Sequence, residues 1–341
     1  MNIKEQVKEL WRTCFNDSEE FMDLYFTHRF NDDVNVVIEK EGKITSALQM
    51  IPYPMTLWGD IVQTSYISGA CTCPDSRGKG AMKELLSLSF HRMVQTGVSL
   101  STLIPAEAWL FEYYARMGYA SIFRYSLRNL DASKMVLSLG EYQLSISETY
   151  NKQVFDYFNQ KMQERSCCIQ HTEADYKVIL ADLILSGGTT VTAYQQGKVV
   201  GVAFVLPEEG ETLFVKELLA DSAEIENHLL YEGCQTYKCK KISIITPAAE
   251  EDAPQLLLGM ARIILAKDIL QRYAAAYPDL EMNIELVDNQ LPENSGYYRI
   301  ASGKCVFDKE KAPAIYHQMT IGELTKTVFD KLNAYMSLML D

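Results

Sequence analysis

The chain lacks an excess of positive charge: 32 Lys and Arg stand against 45 Asp and Glu, a net charge of -13. That argues against a nucleic-acid binder, which usually shows a basic face. It suits a cationic small substrate, though many proteins are acidic. No apolar run approaches the roughly 18 residues of a membrane span, so no membrane partner is expected. No leader pattern opens the sequence, and the eight Cys are scattered, so reduced, mostly buried thiols in a cytoplasmic protein are expected. Cys71/Cys73 and Cys167/Cys168 lack the second Cys or His pair of a zinc site. His171, His228 and His317 have no ligand spacing among themselves, and no metal is expected. The nucleotide loops are missing as well. There is no GxxxxGK[ST], and GxGxxG fails because Lys83 stands where a third glycine belongs.

What is present is a chain of 341 residues, 48% hydrophobic, long enough for two or three domains with sizeable cores. Residues 4–30 carry one or two helices anchored by Trp11, Phe15, Phe21, Leu24 and Tyr25. Val34–Ile38 and Ile44–Pro52 flank a hairpin turn, and residues 61–73 form a further strand. A helix over Lys79–Gln95, a strand ending before Pro105 and a short helix near 107–116 follow. Strands mixed with helices in this way indicate an α/β or α+β domain. Glu41–Pro52 and Gln196–Pro207 then share a Gly-Lys turn, an apolar strand and a closing Pro at an offset of 155 residues. Duplication and coincidence of two hairpins both remain open. Helices are expected over 149–164, 172–185 and near 222–236. The last part, from about 252, is expected to open on a helix over 255–271. It continues with strands in Glu281–Asp288 and Gly296–Phe307 and a possible strand at Ala314–Met319. Thr320 and Glu323 form a capping-box pattern, opening a final helix that runs almost to Asp341.

The chemistry concentrates in Ala70–Phe90, ACTCPDSRGKGAMKELLSLSF. An apolar strand stops at Pro74, a basic turn with Gly78 and Gly80 follows, and a helix opens straight from it. The first N–H groups of a helix have no partner within it and carry the positive end of its dipole. With Arg77 and Lys79 beside them, the amides of residues 78–82 make a cradle for a phosphate-bearing cofactor. A GKG turn alone is commonly just a helix start; its place between strand and amphipathic helix strengthens the cradle reading.

These residues resemble the signature of the GNAT family of acetyl-CoA-dependent N-acetyltransferases, Q/R-x-x-G-x-G/A. Arg77 and Gly80 match it, and Met82 replaces the final small residue. The resemblance implies that Arg77, Gly78, Lys79, Gly80, Ala81 and Met82 hold the pyrophosphate of acetyl-CoA. It implies too that the backbones of Cys71, Thr72 and Cys73 hold the pantetheine arm. Downstream, Tyr114, Gly118 and Tyr119 match a Y-x-x-x-G-F/Y pattern of the family. The family's Tyr often reprotonates the departing thiolate, which makes Tyr114 the expected general acid and Tyr113 its nearest rival. Trp109 either lines the acceptor pocket or fills the core. Glu107 and Glu112 belong on the helix surface. His28 is expected to be packed or paired locally, and His91 sits too far down its helix to act.

The three-part layout resembles the Eis-type (enhanced intracellular survival) acetyltransferases. It implies tandem GNAT-like folds followed by a sterol-carrier-protein-like α+β domain. The expected boundaries are 1–130 for the catalytic domain, 131–248 for a degenerate second GNAT-like domain, and 249–341 for the last. Only the first has the cradle, so one site per chain is expected. The implied reaction is direct transfer of acetyl to a primary amine of a small molecule or peptide. The α-carboxylate of Asp341 is the implied base, against the alternative of a frayed terminus in solvent. Another acyl-CoA donor and a non-catalytic CoA-binding module stay open. So do the acceptor and the oligomeric state, a homo-oligomer included.

Overall fold

The computed structural model describes residues 2–135, 140–248 and 254–340. Its contacts form two compact units. One runs to Phe123 and includes Leu257–Ala334; the other comprises Arg124–Leu256 and Tyr335–Leu340.

The first unit opens with α1 (Ile3–Cys14), whose N-terminus is closed by a reciprocal cap between Asn2 and Glu5. Ser18 caps α2 (Glu19–His28). Val7, Leu10 and Trp11, at helical spacing, are buried with Met22, Tyr25 and Phe26 against Ile44, Ala47 and Cys71. β1 (Asn35–Lys40), β2 (Lys43–Leu57) and β3 (Asp60–Thr72) form an antiparallel meander. α3 (Ala81–Gln95) then crosses to β4 (Leu100–Leu103), which lies parallel to β3. A parallel pair cannot be joined by a tight turn, so a helical crossover is what this step demands. α4 (Ala108–Ala115) follows, and β5 (Ala120–Asp131) leads into the second unit.

The second unit repeats this order. After β6 (Gln143–Ser147) come α5 (Lys152–Gln163), the short β7 (Cys167–Ile169) and α6 (Glu173–Leu185). β8 (Thr189–Gln195), β9 (Lys198–Glu208) and β10 (Thr212–Ala220) form another antiparallel meander. α7 (Ala223–Tyr237) crosses to β11 (Lys241–Pro247), parallel to β10. The hairpin turns of the two sequence repeats coincide in conformation: φ is 52° and 75° at Glu41 and Gly42, 50° and 77° at Gln196 and Gly197. The repeated segments are β2 and β9, the same strand of each meander. The recurrence spans two helices, three strands, a crossover and a parallel strand, far more than a shared hairpin. On the outer side of β11 lies β5, antiparallel to it.

The last part departs from expectation at its start. Leu256–Ile263 is strand β12, not the first half of a helix over 255–271. It pairs antiparallel with β4 from Met260 opposite Leu103 to Ile263 opposite Leu100, so its backbone groups are committed to the sheet. A short apolar run does not distinguish buried strand from buried helix by periodicity, and tertiary pairing decided it. The helix, α8 (Ala266–Ala276), begins only after the amide of Ile264 has bonded to Ser99 O at 2.9 Å. β13 (Met282–Val287), β14 (Gly296–Ala301), β15 (Lys304–Asp308) and β16 (His317–Thr320) form a separate sheet in the order β15-β14-β13-β16.

Thr320 and Glu323 do form a capping box, opening α9 (Ile321–Phe329). That helix stops far short of Asp341. The amide of Tyr335 donates to Cys167 O at 2.9 Å and its carbonyl accepts from Ile169 at 3.0 Å, so the chain there is extended against β7. Met260, Ile264 and Leu291 lie in one buried cluster with Leu85, Phe90 and Tyr114. The core of the first unit is therefore completed by residues from far along the chain.

Candidate active site

β3 and β4 are paired only from Thr64–Tyr66 opposite Leu100–Thr102. β3 runs on to Thr72, paired over those last residues with β2. A bulge interrupts the β2 register between Ala47 and Gln49, opposite Ser68–Cys71. β4 ends at Leu103, and β3 thus runs on beyond its pairing with β4 to the segment that holds Cys71, Thr72 and Cys73. A single 3₁₀ turn, Pro74–Ser76, ends the strand.

The turn then delivers an open helix end. Gly80 is the N-cap of α3 at φ 83°, in the left-handed region that a side chain makes costly, and it places no capping group over the helix. The first helical bond runs from the amide of Glu84 to Gly80 O at 3.1 Å. The amides of Ala81, Met82 and Lys83 therefore have no acceptor within the helix. Arg77 and Lys79 are exposed and bent back on the loop, Arg77 Nε donating to Thr72 O at 3.0 Å and Lys79 Nζ to Asp75 O at 2.8 Å. Met82 packs partly buried against the core rather than over the amides, so its departure from a small residue leaves the cradle open. An open groove of about 340 Å³, lined by Gly80, Lys83, Glu84, Ser87, Leu88 and Gln290, continues along α3.

The second unit shows what a closed end looks like. At the matching crossover, Ser222 accepts from the amide of Ile225 and caps α7, with Glu224 and Glu226 in the first turn. A cap and two carboxylates oppose an anion where α3 offers bare amides and two cations.

Tyr114 lies near the end of α4, 7% exposed, in edge-on contact with Tyr113 and Tyr119 at ring separations of 5.4 and 5.7 Å. Burial, and secondarily Tyr113, pushes its phenol up to about 12, so it stays protonated at neutral pH. Half-buried Tyr113 is raised by burial too, and neighbouring Arg116 opposes the shift. Tyr119 shares a 2.6 Å hydrogen bond with Ser101, which aligns the strand behind Tyr114. Between them Gly118 has φ 90°, and a Cβ there would fall 2.6 Å from Ile321 Cγ2. Gly118 of the pattern thus answers a close approach of α9.

Sequence reasoning missed the support for this corner. Arg262, fully buried, donates to Met117 O at 3.0 Å, Ile263 O at 2.8 Å and Asp288 at 2.6 Å, and its guanidinium stacks 4.4 Å from the Phe90 ring. Burial pushes its pKa down, and Asp288 opposes the shift. Asp288 also accepts from the amides of Gln290 and Leu291 and from Asn294. The available signal was a lone Arg within an apolar run. A second buried carboxylate, Glu217, accepts from Arg165, Tyr335 and Ser337 and fastens the segment from Tyr335 within the second unit.

The other candidates are distributed plainly. Trp109 is 64% exposed and is no core residue. Glu112 pairs with Arg116 on the surface of α4, and Glu107 is its N-cap. His28, His91 and His317 are exposed; His171 is buried with Nε2 2.9 Å from Ser337 O. All eight Cys are free thiols. Among the described residues no cluster of three His, Cys, Asp or Glu could hold a metal, and no helix is long and apolar enough to cross a membrane. Asp341 lies outside the described residues.

No curated protein matches the chain in sequence. Solved structures share its fold. A GCN5-related N-acetyltransferase from Anabaena variabilis superposes with a TM-score of 0.75 at 17% identity, covering 94% of this chain and 86% of its own. A probable N-acyltransferase from Enterococcus faecalis, described as a conserved protein of unknown function, gives 0.76 at 16%, covering 98% and 94%. Eis1 from Mycobacterium abscessus gives 0.73 at 12%, covering 95% and 86%. Residues 3–122 match the family model described as "Acetyltransferase (GNAT) domain". That span runs from α1 through the open cradle to Tyr119.

Proposed function

We propose that the protein is an N-acyltransferase that moves acetyl from acetyl-CoA to a primary amine of a small molecule or peptide. The observation that carries this reading is the bare N-terminus of α3, which follows the end of β3, while its counterpart α7 is capped. The residues fit CoA. The amides of Ala81 and Met82, with Gly78, Gly80, Arg77 and Lys79, meet the pyrophosphate, and the backbone of Cys71–Cys73 meets the pantetheine arm. The Cys73 amide is already bonded to Thr45 O at 2.9 Å, so an amide offered to the carbonyl oxygen as it gains charge comes from another residue of that segment.

In this mechanism the amine attacks as the neutral base, so a proton must leave it. The α-carboxylate of Asp341 is the proposed acceptor. The C–N bond forms at the thioester carbonyl, collapse of the resulting tetrahedral intermediate breaks the C–S bond, and the protonated phenol of Tyr114 donates to the departing sulfur. The negative charge of the chain favours a cationic acceptor such as a polyamine, an aminoglycoside-like molecule or a peptide amine. The reading keeps three segments, 1–130, 131–248 and 249–341, the last of a sterol-carrier-like kind that walls the site without carrying lipid. A single site per chain follows from the capped second crossover.

A thermal-shift series with acetyl-CoA, CoA and longer acyl-CoAs tests the donor, because a ligand that binds only the folded state raises the transition by mass action. Release of free CoA against a panel of amines tests the reaction. Absence of any CoA-dependent shift would overturn the proposal; a shift without turnover would leave a binding module.

A further inference from the structure

The corner that holds Tyr114 is completed by a strand from far along the chain. Arg262 lies on β12 opposite Ser101 of β4. Ser101 shares its hydroxyl hydrogen bond with Tyr119, whose ring lies edge-on to Tyr114 at 5.7 Å and tilted against Phe90 at 5.9 Å. The Arg262 guanidinium covers the same Phe90 ring, 4.4 Å from its centre. From there Nε donates to Met117 O at 3.0 Å. Met117 belongs to the turn that ends α4. Its amide donates to Tyr114 O at 2.9 Å, and the amide of Tyr119 reaches the same carbonyl at 3.2 Å. Met117 thus links the Tyr114 backbone to the guanidinium.

Arg262 is fixed in its turn. Its two terminal nitrogens donate to Ile263 O at 2.8 Å and to Asp288 at 2.6 Å. Asn294 donates to Asp288 and to Ile264 O, both at 2.9 Å, and accepts from the amide of Ala266 at 3.1 Å. Both charges are fully buried, so any other rotamer would leave them unpaired away from water. The phenol of Tyr114, by contrast, has no hydrogen-bond partner among the described residues. It sits one residue from the end of a short helix, where ends fray. Its position therefore depends on the backbone behind it and on ring packing.

We propose that Arg262 is a positioning residue for acyl transfer: through Met117 and the Phe90–Tyr119 ring contacts it fixes the end of α4, and with it the phenol of Tyr114.

This rests on the acyltransferase reading with Tyr114 as its acid. A proton donor must come within hydrogen-bond reach of the sulfur, and a misplacement of about 1 Å can cost about a hundredfold in rate. Arg262→Lys keeps a cation for Asp288 but gives up the planar fork that serves three acceptors at once. CoA release from acetyl-CoA with spermidine, or with the fastest amine of the panel, should show kcat lowered by about tenfold or more. The acetyl-CoA dissociation constant should stay within about twofold. In a Tyr114→Phe background the same substitution should change the remaining kcat by less than about twofold, because residues that act through one group are not additive. Phe90→Leu removes the ring beneath the guanidinium and should give the same pattern with a smaller fall, which covers the case in which the Lys variant does not fold.

Hydrogen–deuterium exchange mapped by mass spectrometry, without ligand, reads the positioning alone. Exchange in residues 108–119 should quicken in either variant by more than exchange in the β1–β3 meander. An equal fall in kcat with Tyr114 present and absent, a loss of acetyl-CoA affinity that matches the loss of kcat, or exchange that quickens evenly would each overturn the proposal. If no amine is acetylated, or if Tyr114→Phe alone leaves kcat unchanged, the acyltransferase reading or its acid fails; the exchange result still decides whether Arg262 holds α4.

Discussion

Arg262 donates to Asp288 at 2.6 Å with both side chains fully buried. The pair joins β12 to the loop between β13 and β14, and Arg262 also reaches Met117, three residues beyond Tyr114. Burying two charges is costly, and the pair offsets this only because every partner is in place. Asp288→Ala should therefore cost about 3–5 kcal/mol by leaving a lone buried guanidinium. Urea unfolding followed by fluorescence measures it. A loss below about 1 kcal/mol would show that water reaches the site.

Tyr114→Phe removes one oxygen from a ring whose packing holds it in place. If the phenol supplies the proton, kcat should fall by about a hundredfold, the low end of general-acid effects. The CoA dissociation constant should stay within about twofold, since kcat loss alone marks a transition-state interaction. Tyr113→Phe serves as the comparison and should leave kcat nearly unchanged.

Gly80→Asp places a carboxylate at the bare end of α3, copying the acidic character of the α7 end. Asp tolerates the left-handed region better than most residues, and a Cβ there meets nothing within 4 Å. The fold should persist while CoA affinity drops by at least about tenfold through like-charge repulsion. Calorimetric titration with CoA reads the loss, and circular dichroism checks the fold.

Glu217→Ala strands Arg165 and releases Tyr335 and Ser337. A cost of about 3–5 kcal/mol is expected, as for other broken buried pairs. Residues 335–340 should become open to a protease under conditions where the unaltered chain resists it. Mass analysis of the products locates the cleavage.

Cys14 should alkylate as a thiolate. Its reaction with iodoacetamide should rise with pH through a midpoint well below that of an ordinary thiol, because its neighbours Cys71 and Arg77 favour the anion although burial opposes this. Arg77→Gln should move the midpoint upward. A midpoint near 8.5, the value of a free cysteine, would remove the claimed influence of its neighbours.

Much of this molecule is local and was open to reading along the chain. The turn Arg77–Gly80, the strand before it and the helix after it are consecutive, so their residue types alone point to uncapped amides. The capping box at Thr320 and the repeated hairpins are equally local, set by contacts within a few residues. Tertiary structure decided what depends on distant partners. Leu256–Ile263 became a strand because β4 offered it an edge, and the chain beyond Phe329 left the helix because β7 accepted Tyr335. Arg262 and Asp288, 26 residues apart, have no common pattern in the sequence. Only folding removes both from water, and it is desolvation that makes each require the other.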